Sequence, residues 1–173
     1  MDNSLLGKTA PVTGGSRNIG RLTALELSAK GADVIVIYHM QAESAASVVA
    51  EIEATGRRAK ALQANFAQDD AAAVLEPQIK RVLSDWQADG LDILINNAGT
   101  LRIGGFDQIT AEDLDAIFTT NFKSVVLLTQ ALLPHLRDGG RIVNLSSGLA
   151  NGVFPRLIAY GPMKAALQEI TLY

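Results

Sequence analysis

The chain contains no cysteine, so disulfide staples and thiolate metal sites are excluded. It has only two histidines, His39 and His135, far apart and neither opening a metal-ligand spacing such as HExxH. No bound metal is therefore expected. Positive charge is not in excess: 15 Lys and Arg stand against 18 Asp and Glu, a net charge of −3. A nucleic-acid surface needs a concentrated basic patch, so that partner class is set aside. No apolar run approaches the ~20 residues of a membrane span. The start, MDNSLLGKTAPVTGG, lacks the basic-then-apolar layout of a signal peptide. Repeats, low-complexity tracts and dividing linkers are also missing. The expectation is a cytoplasmic protein with no membrane and no nucleic-acid partner.

What is present is an ordinary globular composition: 173 residues, 48% hydrophobic and 19% charged. That length suits one domain, residues 1–173, with a sizeable core. Strand-like and helix-like stretches alternate along it. Thr9 to Thr13 reads as a strand closed by Gly14-Gly15, and a helix follows from about Asn18 to Lys30, with Gly31 at its C-terminus. Val34 to Ile37 is a β-branched run of the kind buried on both sheet faces. A helix from about Ala42 to Thr55 ends at Gly56, and Lys60 to Gln63 is a third strand. Asp69 and Asp70 are N-cap residues for the next helix, which Pro77 should kink or split. Leu91 to Ile95 is a fourth strand. A long helix, with Thr110 as N-cap, is expected over about Ala111 to Leu136, closed by Gly139-Gly140. Arg141 to Leu145 is a fifth strand, and a last helix begins near Ala159. This β-α order with short links predicts a doubly wound α/β fold, a parallel sheet with helices on both faces. Pro11 is unusual in its strand, because proline cannot donate to a sheet ladder.

Three segments carry candidate chemistry. The first is Thr13-Gly14-Gly15-Ser16-Arg17-Asn18-Ile19-Gly20, between the first strand and the first helix. A helix N-terminus at a strand's carboxyl end offers free N–H groups and partial positive charge to a pyrophosphate, and glycines permit close approach. Read alone, it also suits an ordinary strand–helix turn. The second is Asn96-Asn97-Ala98-Gly99, directly after the fourth strand. Small residues there allow close approach of a flat group, while asparagines can stitch strand ends together. Turn chemistry is the bland reading, but the position after a buried strand, about 80 residues beyond the glycine turn, favours the functional one. The third is Tyr160-Gly161-Pro162-Met163-Lys164. Residues i and i+4 share a helix face, and an ammonium beside a phenol lowers the tyrosine pKa from about 10. An amphipathic surface pair would show the same spacing.

Taken in order, these segments resemble the short-chain dehydrogenase/reductase family, most nearly its 3-oxoacyl-carrier-protein reductase type. The first turn is similar to the family's TGxxxGxG fingerprint, with Asn18 in place of the middle glycine; asparagine tolerates the left-handed conformation best after glycine. The second matches NNAG and the third YxxxK, with Ser147 lying 160 − 147 = 13 residues before Tyr160. The resemblance implies a Rossmann fold with strand order 3-2-1-4-5, the family's strands 6 and 7 being missing. Strand five would then be an open, mostly apolar edge.

The resemblance also implies an oxidoreductase that moves hydride between NADP(H) and a small-molecule carbonyl or alcohol. Tyr160 would be the general acid/base. Lys164 would lower its pKa and hold the nicotinamide ribose, Ser147 would hydrogen-bond the substrate oxygen, and Asn121 would bend the long helix and hold a water in a proton relay. Ser146 is assigned to turn chemistry. Gly14, Ser16, Arg17, Asn18, Ile19 and Gly20 would grip the phosphates. Asn97, Ala98 and Gly99 would lie beside the cofactor, together with Tyr160 and Lys164. Tyr38 and His39 end the second strand, where no carboxylate awaits a ribose 2′-hydroxyl. With Arg17 suited to a 2′-phosphate, NADP is favoured and NAD remains possible. Asn65, before Phe66, stands where the family has an aspartate contacting adenine. A homodimer or homotetramer through the long and last helices is implied. The alternative is a catalytically silent nucleotide-binding or interaction module.

Overall fold

A computed structural model of the chain describes residues 3–173. Five parallel strands form one sheet in the order β3-β2-β1-β4-β5. They are β1 (Thr9–Thr13), β2 (Asp33–Tyr38), β3 (Ala59–Gln63), β4 (Leu91–Asn96) and β5 (Leu136–Asn144). The helices are α1 (Asn18–Ala29), α2 (Ala42–Glu53), α3 (Ala71–Asp85), α4 (Ala111–Phe118), α5 (Ser124–Leu132) and α6 (Tyr160–Ile170). The expected strand order holds.

Strand β2 shows why its run is continuously apolar. Successive side chains point to opposite faces. Val34 and Val36 enter the core with Val48 and Ile52 of α2 and Ala24 of α1. Ile35 and Ile37 enter the opposite core with Leu75 and Ile79 of α3 and Leu128 and Leu132 of α5. Both faces are covered, so both sets must be apolar. Gly31 (φ 103°) and Gly56 (φ 80°) close α1 and α2 in the left-handed region, as expected.

Pro11 lies in the buried middle of β1, opposite Ile35. Thr9 N points toward β4, where it donates to the Asp92 carboxylate at 2.9 Å. Two residues further along the strand, the missing N–H of Pro11 falls on that same side. The registered β1–β4 pairing there is reduced to Val12 opposite Ile95. The buried Asp92 also takes an ion pair from Lys8 at 3.0 Å, so a side chain supplies part of the join that the ladder lacks.

Three local expectations are refined or corrected. Of the two outcomes expected at Pro77, a split is absent, since α3 runs through it; Pro77 and Ala73 lie on the exposed face, so the Ala73 carbonyl that loses its partner meets water. Asp70 occupies the N-cap of α3 without a side-chain cap bond, and Asp69 instead pairs with Lys123 at 2.7 Å. The long helix expected over 111–136 is present as one continuous helical run, 111–135, made of α4, a π-helical turn (Thr119–Lys123), α5 and a 3-10 turn (Leu133–His135). Pro134 has no N–H to continue the α-helix, so β5 starts at Leu136 and takes up Gly139-Gly140 in an irregular stretch opposite Leu91 to Ile93. Thr110 does cap α4, in a reciprocal box with Asp113. The segment 111–135 is long and apolar enough to cross a membrane by length and composition, but its Val125, Leu128 and Leu132 are buried within this fold.

Candidate active site

Every candidate segment lies where strands β1, β4 and β5 end. The β1–α1 turn needs unusual backbone. Gly14 has φ 64° and Asn18 has φ 46°, so Asn18 does take the left-handed conformation that glycine would adopt. At Gly20 a Cβ would overlap the Gly14 carbonyl oxygen and lie 2.5 Å from Asn97 Nδ2. At Gly14 it would lie 2.9 Å from that same amide. The turn is therefore folded onto the segment after β4. Arg17 takes the N-cap position of α1 with no side-chain cap bond, and the first turn carries no acidic residue. Its N–H groups and partial positive charge stay available for an anion. Arg17, Asn18 and Ile19 are exposed, while Ser16 is buried.

Thr13, which the sequence reading left out of the site, ties these two segments. Its Oγ1 accepts from Asn97 N and Ala98 N, both at 2.9 Å. Asn97 Nδ2 donates to Thr13 O at 2.8 Å and Gly14 O at 3.2 Å. Asn96 reaches the other way, donating to Asn144 Oδ1 at 2.8 Å. The expected stitching of strand ends is thus present, with β1 on one side and β5 on the other.

Asn121 is fully buried in the π-helical turn. Its Oδ1 accepts from Thr100 N and its Nδ2 donates to Thr100 O, each at 2.8 Å. A helix-interior asparagine is a mild anomaly because its side chain competes for backbone groups. Here it satisfies both groups of a neighbouring residue and holds the strand-end loop. Gly99 lies between Asn121 and Lys164: a Cβ there would be 3.2 Å from Asn121 Oδ1 and 3.9 Å from Lys164 Nζ.

Helix α6 begins at Tyr160. Lys164 is one turn on and only 4% exposed. Its Nζ lies 5.9 Å from the Tyr160 ring centroid and donates to Leu145 O at 2.6 Å. Burial lowers the Lys164 pKa below the ordinary lysine value. Ser147 caps a 3-10 turn (Gly148–Asn151), its Oγ accepting from Leu149 N at 3.2 Å; no hydrogen bond joins it to Tyr160 among the described residues. Ser146, assigned above to turn chemistry, instead donates to Lys164 O at 2.9 Å. Gly161 lets the helix start press on that turn, since a Cβ would lie 2.9 Å from Leu149 O.

The remaining sequence candidates lie at the ends of β2 and β3. Tyr38 is half-buried and His39 exposed, with the His39 carbonyl accepting from Gln63 Nε2 at 2.8 Å. Asn65 makes a local turn, Oδ1 accepting from Ala67 N at 3.1 Å, beside the buried Phe66.

Comparison with known proteins places this arrangement. Residues 8–172 match the family model described as short chain dehydrogenase. A short chain dehydrogenase from Burkholderia cenocepacia, solved in complex with NADP, is 46% identical with a TM-score of 0.90, covering 98% of this chain and 67% of that one. The landomycin C-6 ketoreductase LanV, solved with NADP and rabelomycin, is 41% identical with a TM-score of 0.93, covering 96% of this chain and 68% of that one. The hydroxynaphthalene reductase-like protein Arp2 of Metarhizium brunneum is 37% identical over 171 residues, 97% of this chain and 61% of that protein. The chain thus spans about three fifths of the length of the curated relatives it matches. With the match running over nearly all of its residues, the chain belongs to the short-chain dehydrogenase family.

Proposed function

We propose that this single-domain chain is an NADP-dependent oxidoreductase that interconverts a ketone and an alcohol, with Tyr160 as its general acid/base. The observation that carries the reading is the buried Lys164 ammonium, one helical turn from Tyr160 and 5.9 Å from its ring centroid, at the strand ends beside the glycine turn. A cation so placed favours the phenolate. The residues fit a dinucleotide: the glycine turn has no room for a Cβ at Gly20, and the uncapped start of α1 is suited to a pyrophosphate. Gly14, Ser16, Asn18, Ile19 and Gly20 would hold the phosphates, Arg17 and His39 a 2′-phosphate, and Asn97, Ala98 and Gly99 the nicotinamide side. Tyr38, Asn65 and Phe66 would bound the adenine. The dinucleotide supplies the hydride.

Tyr160 gives a proton to the carbonyl oxygen in reduction and takes it back in oxidation. Ser147 donates to the same oxygen as charge develops on it. Lys164 holds the phenol's proton affinity down, and Asn121 holds the Thr100 loop beside them. A NADP preference is supported by the NADP-bound relatives, by the exposed Arg17, and by the absence of a carboxylate at Tyr38-His39. The exposed Leu114, Phe118 and Leu133 suit a homodimer or homotetramer, which light scattering would check.

The test is to titrate the chain with NADPH and NADH, following nicotinamide fluorescence, and then to assay 2-tetralone reduction by the parent and Tyr160→Phe. NADPH should bind more tightly than NADH. Tyr160→Phe should bind NADPH as the parent does and lose about 10²- to 10⁴-fold in turnover, the usual contribution of a positioned proton donor. A variant that keeps most of its turnover overturns the assignment.

A further inference from the structure

We infer that Ser146 is a positioning residue for Lys164, an inference that rests on the reading of Lys164 as the partner of Tyr160. Two consecutive residues just beyond β5 grip one residue of α6 at both of its ends. Ser146 Oγ donates to the Lys164 carbonyl at 2.9 Å, and the Leu145 carbonyl accepts from Lys164 Nζ at 2.6 Å. A helix carbonyl has a second lone pair, so the serine bond adds to the helix ladder. The double grip has a purpose that a single bond cannot serve. A lysine side chain has four carbons and about 2 kcal/mol of rotamer entropy, so a bond at Nζ alone constrains its main chain only loosely. Holding the main chain as well fixes where the ammonium stands relative to the Tyr160 ring.

The same helix has a second polar tie, which supplies the control. Asn144 Nδ2 donates to Thr171 Oγ1 at 3.0 Å, and Asn144 is in turn held by Asn96. This tie joins the C-terminal end of α6 to β5, about three turns beyond Tyr160, and touches neither Tyr160 nor Lys164. A merely structural serine would be interchangeable with it. A positioning serine would not.

The experiment is competitive acetylation of the 173-residue chain with acetic anhydride, the rate at Lys164 being read by peptide mass spectrometry against the other lysines. Ser146→Ala should raise the relative Lys164 rate about fivefold, the factor carried by one ordinary hydrogen bond. Ser146→Thr, which keeps the hydroxyl, should restore the parent rate. Thr171→Val should lower the melting temperature and leave the Lys164 rate unchanged. If Ser146→Ala does not fold by circular dichroism, Ser146→Cys, a poor donor of similar size, takes its place with the same expected readings. A Lys164 rate within about twofold of the parent in the serine variant, less than one hydrogen bond carries, overturns the inference. An equal rise in Thr171→Val also overturns it. The labelling needs no turnover, so its failure is distinct from that of Tyr160→Phe.

Discussion

At the β1–α1 turn the chain is packed too closely for a methyl group at Gly14 or Gly20, and the side chains of Thr13 and Asn97 bridge it to the segment after β4. At the opposite end of the site, side chains again reach across to backbone groups, and there they carry most of the join. Asn121 holds Thr100, Ser146 holds Lys164, and Lys164 holds Leu145. The first arrangement tolerates almost no change of volume. The second is sensitive above all to the loss of a donor or acceptor, and has open space beside Gly148. The division matches two tasks. A phosphate grip needs bare N–H groups at close range, whereas proton transfer needs a few polar atoms fixed in relative position.

The comparison breaks most readily at its glycines. Glycine to alanine in a helix ordinarily gains about 1 kcal/mol. At Gly20 the new methyl would meet the Gly14 carbonyl and Asn97 Nδ2. The overpacking, about 1–3 kcal/mol and sometimes more, outweighs that gain. Gly20→Ala should lower stability in urea and, by distorting the turn that would hold the phosphates, weaken NADPH binding about tenfold, the factor carried by about 1.4 kcal/mol of binding free energy. Gly148, next to Ser147 at the other end, has nothing within 4 Å of a Cβ. Gly148→Ala should stay within about 0.5 kcal/mol of the parent. Equal effects of the two changes would erase the distinction.

Asn121→Ala tests the second arrangement. It leaves both the N–H and the C=O of Thr100 without their partner. Each such group costs about 1–3 kcal/mol if water cannot reach it. The expected loss is about 2 kcal/mol in urea denaturation, together with loss of turnover. NADPH affinity should fall less than in Gly20→Ala, because the phosphate turn is untouched. A variant as stable as the parent would mean that water replaces the amide without difficulty.

Much of this was legible in the sequence, for an identifiable reason. The β-branched runs of β2 and β4 announce strands buried on both faces, and Gly31 and Gly56 mark helix ends by a conformation that few other residues adopt. The glycine turn is legible because its constraints lie within eight consecutive residues. Asn121 could be noticed because it is out of place in a helix. The partners of these residues could not. Thr13 meets Asn97 across 84 positions and Ser146 meets Lys164 across 18, and a serine or threonine at a strand end has no local mark of such a bond. The long helix was legible over nearly its whole length, but the π-helical turn at Thr119–Lys123 was not, because the apolar pattern continues on either side of it.

The finest test concerns the charge on Lys164. Burial lowers its pKa in the folded chain, while the unfolded chain has the ordinary lysine value of about 10.4. Between those two values the unfolded chain binds more protons, so folding stability rises with pH. The contribution is fully present above the unfolded pKa and is lost as pH falls through the folded one. Lys164→Met removes the titrating group but also leaves the Leu145 carbonyl without its donor, so the absolute stabilities of the two proteins do not decide the matter. The pH dependence of their difference does. Denaturation at about pH 7 and about pH 9.5, the second approaching the ordinary lysine value, should show the parent gaining on the variant as pH rises. The gain should be smaller than the effects at Gly20 and Asn121, because the ammonium keeps a 2.6 Å hydrogen bond that offsets part of its burial. A difference that does not change with pH would mean that Lys164 titrates as an exposed lysine does, and the buried cation beside Tyr160 would lose its electrostatic role.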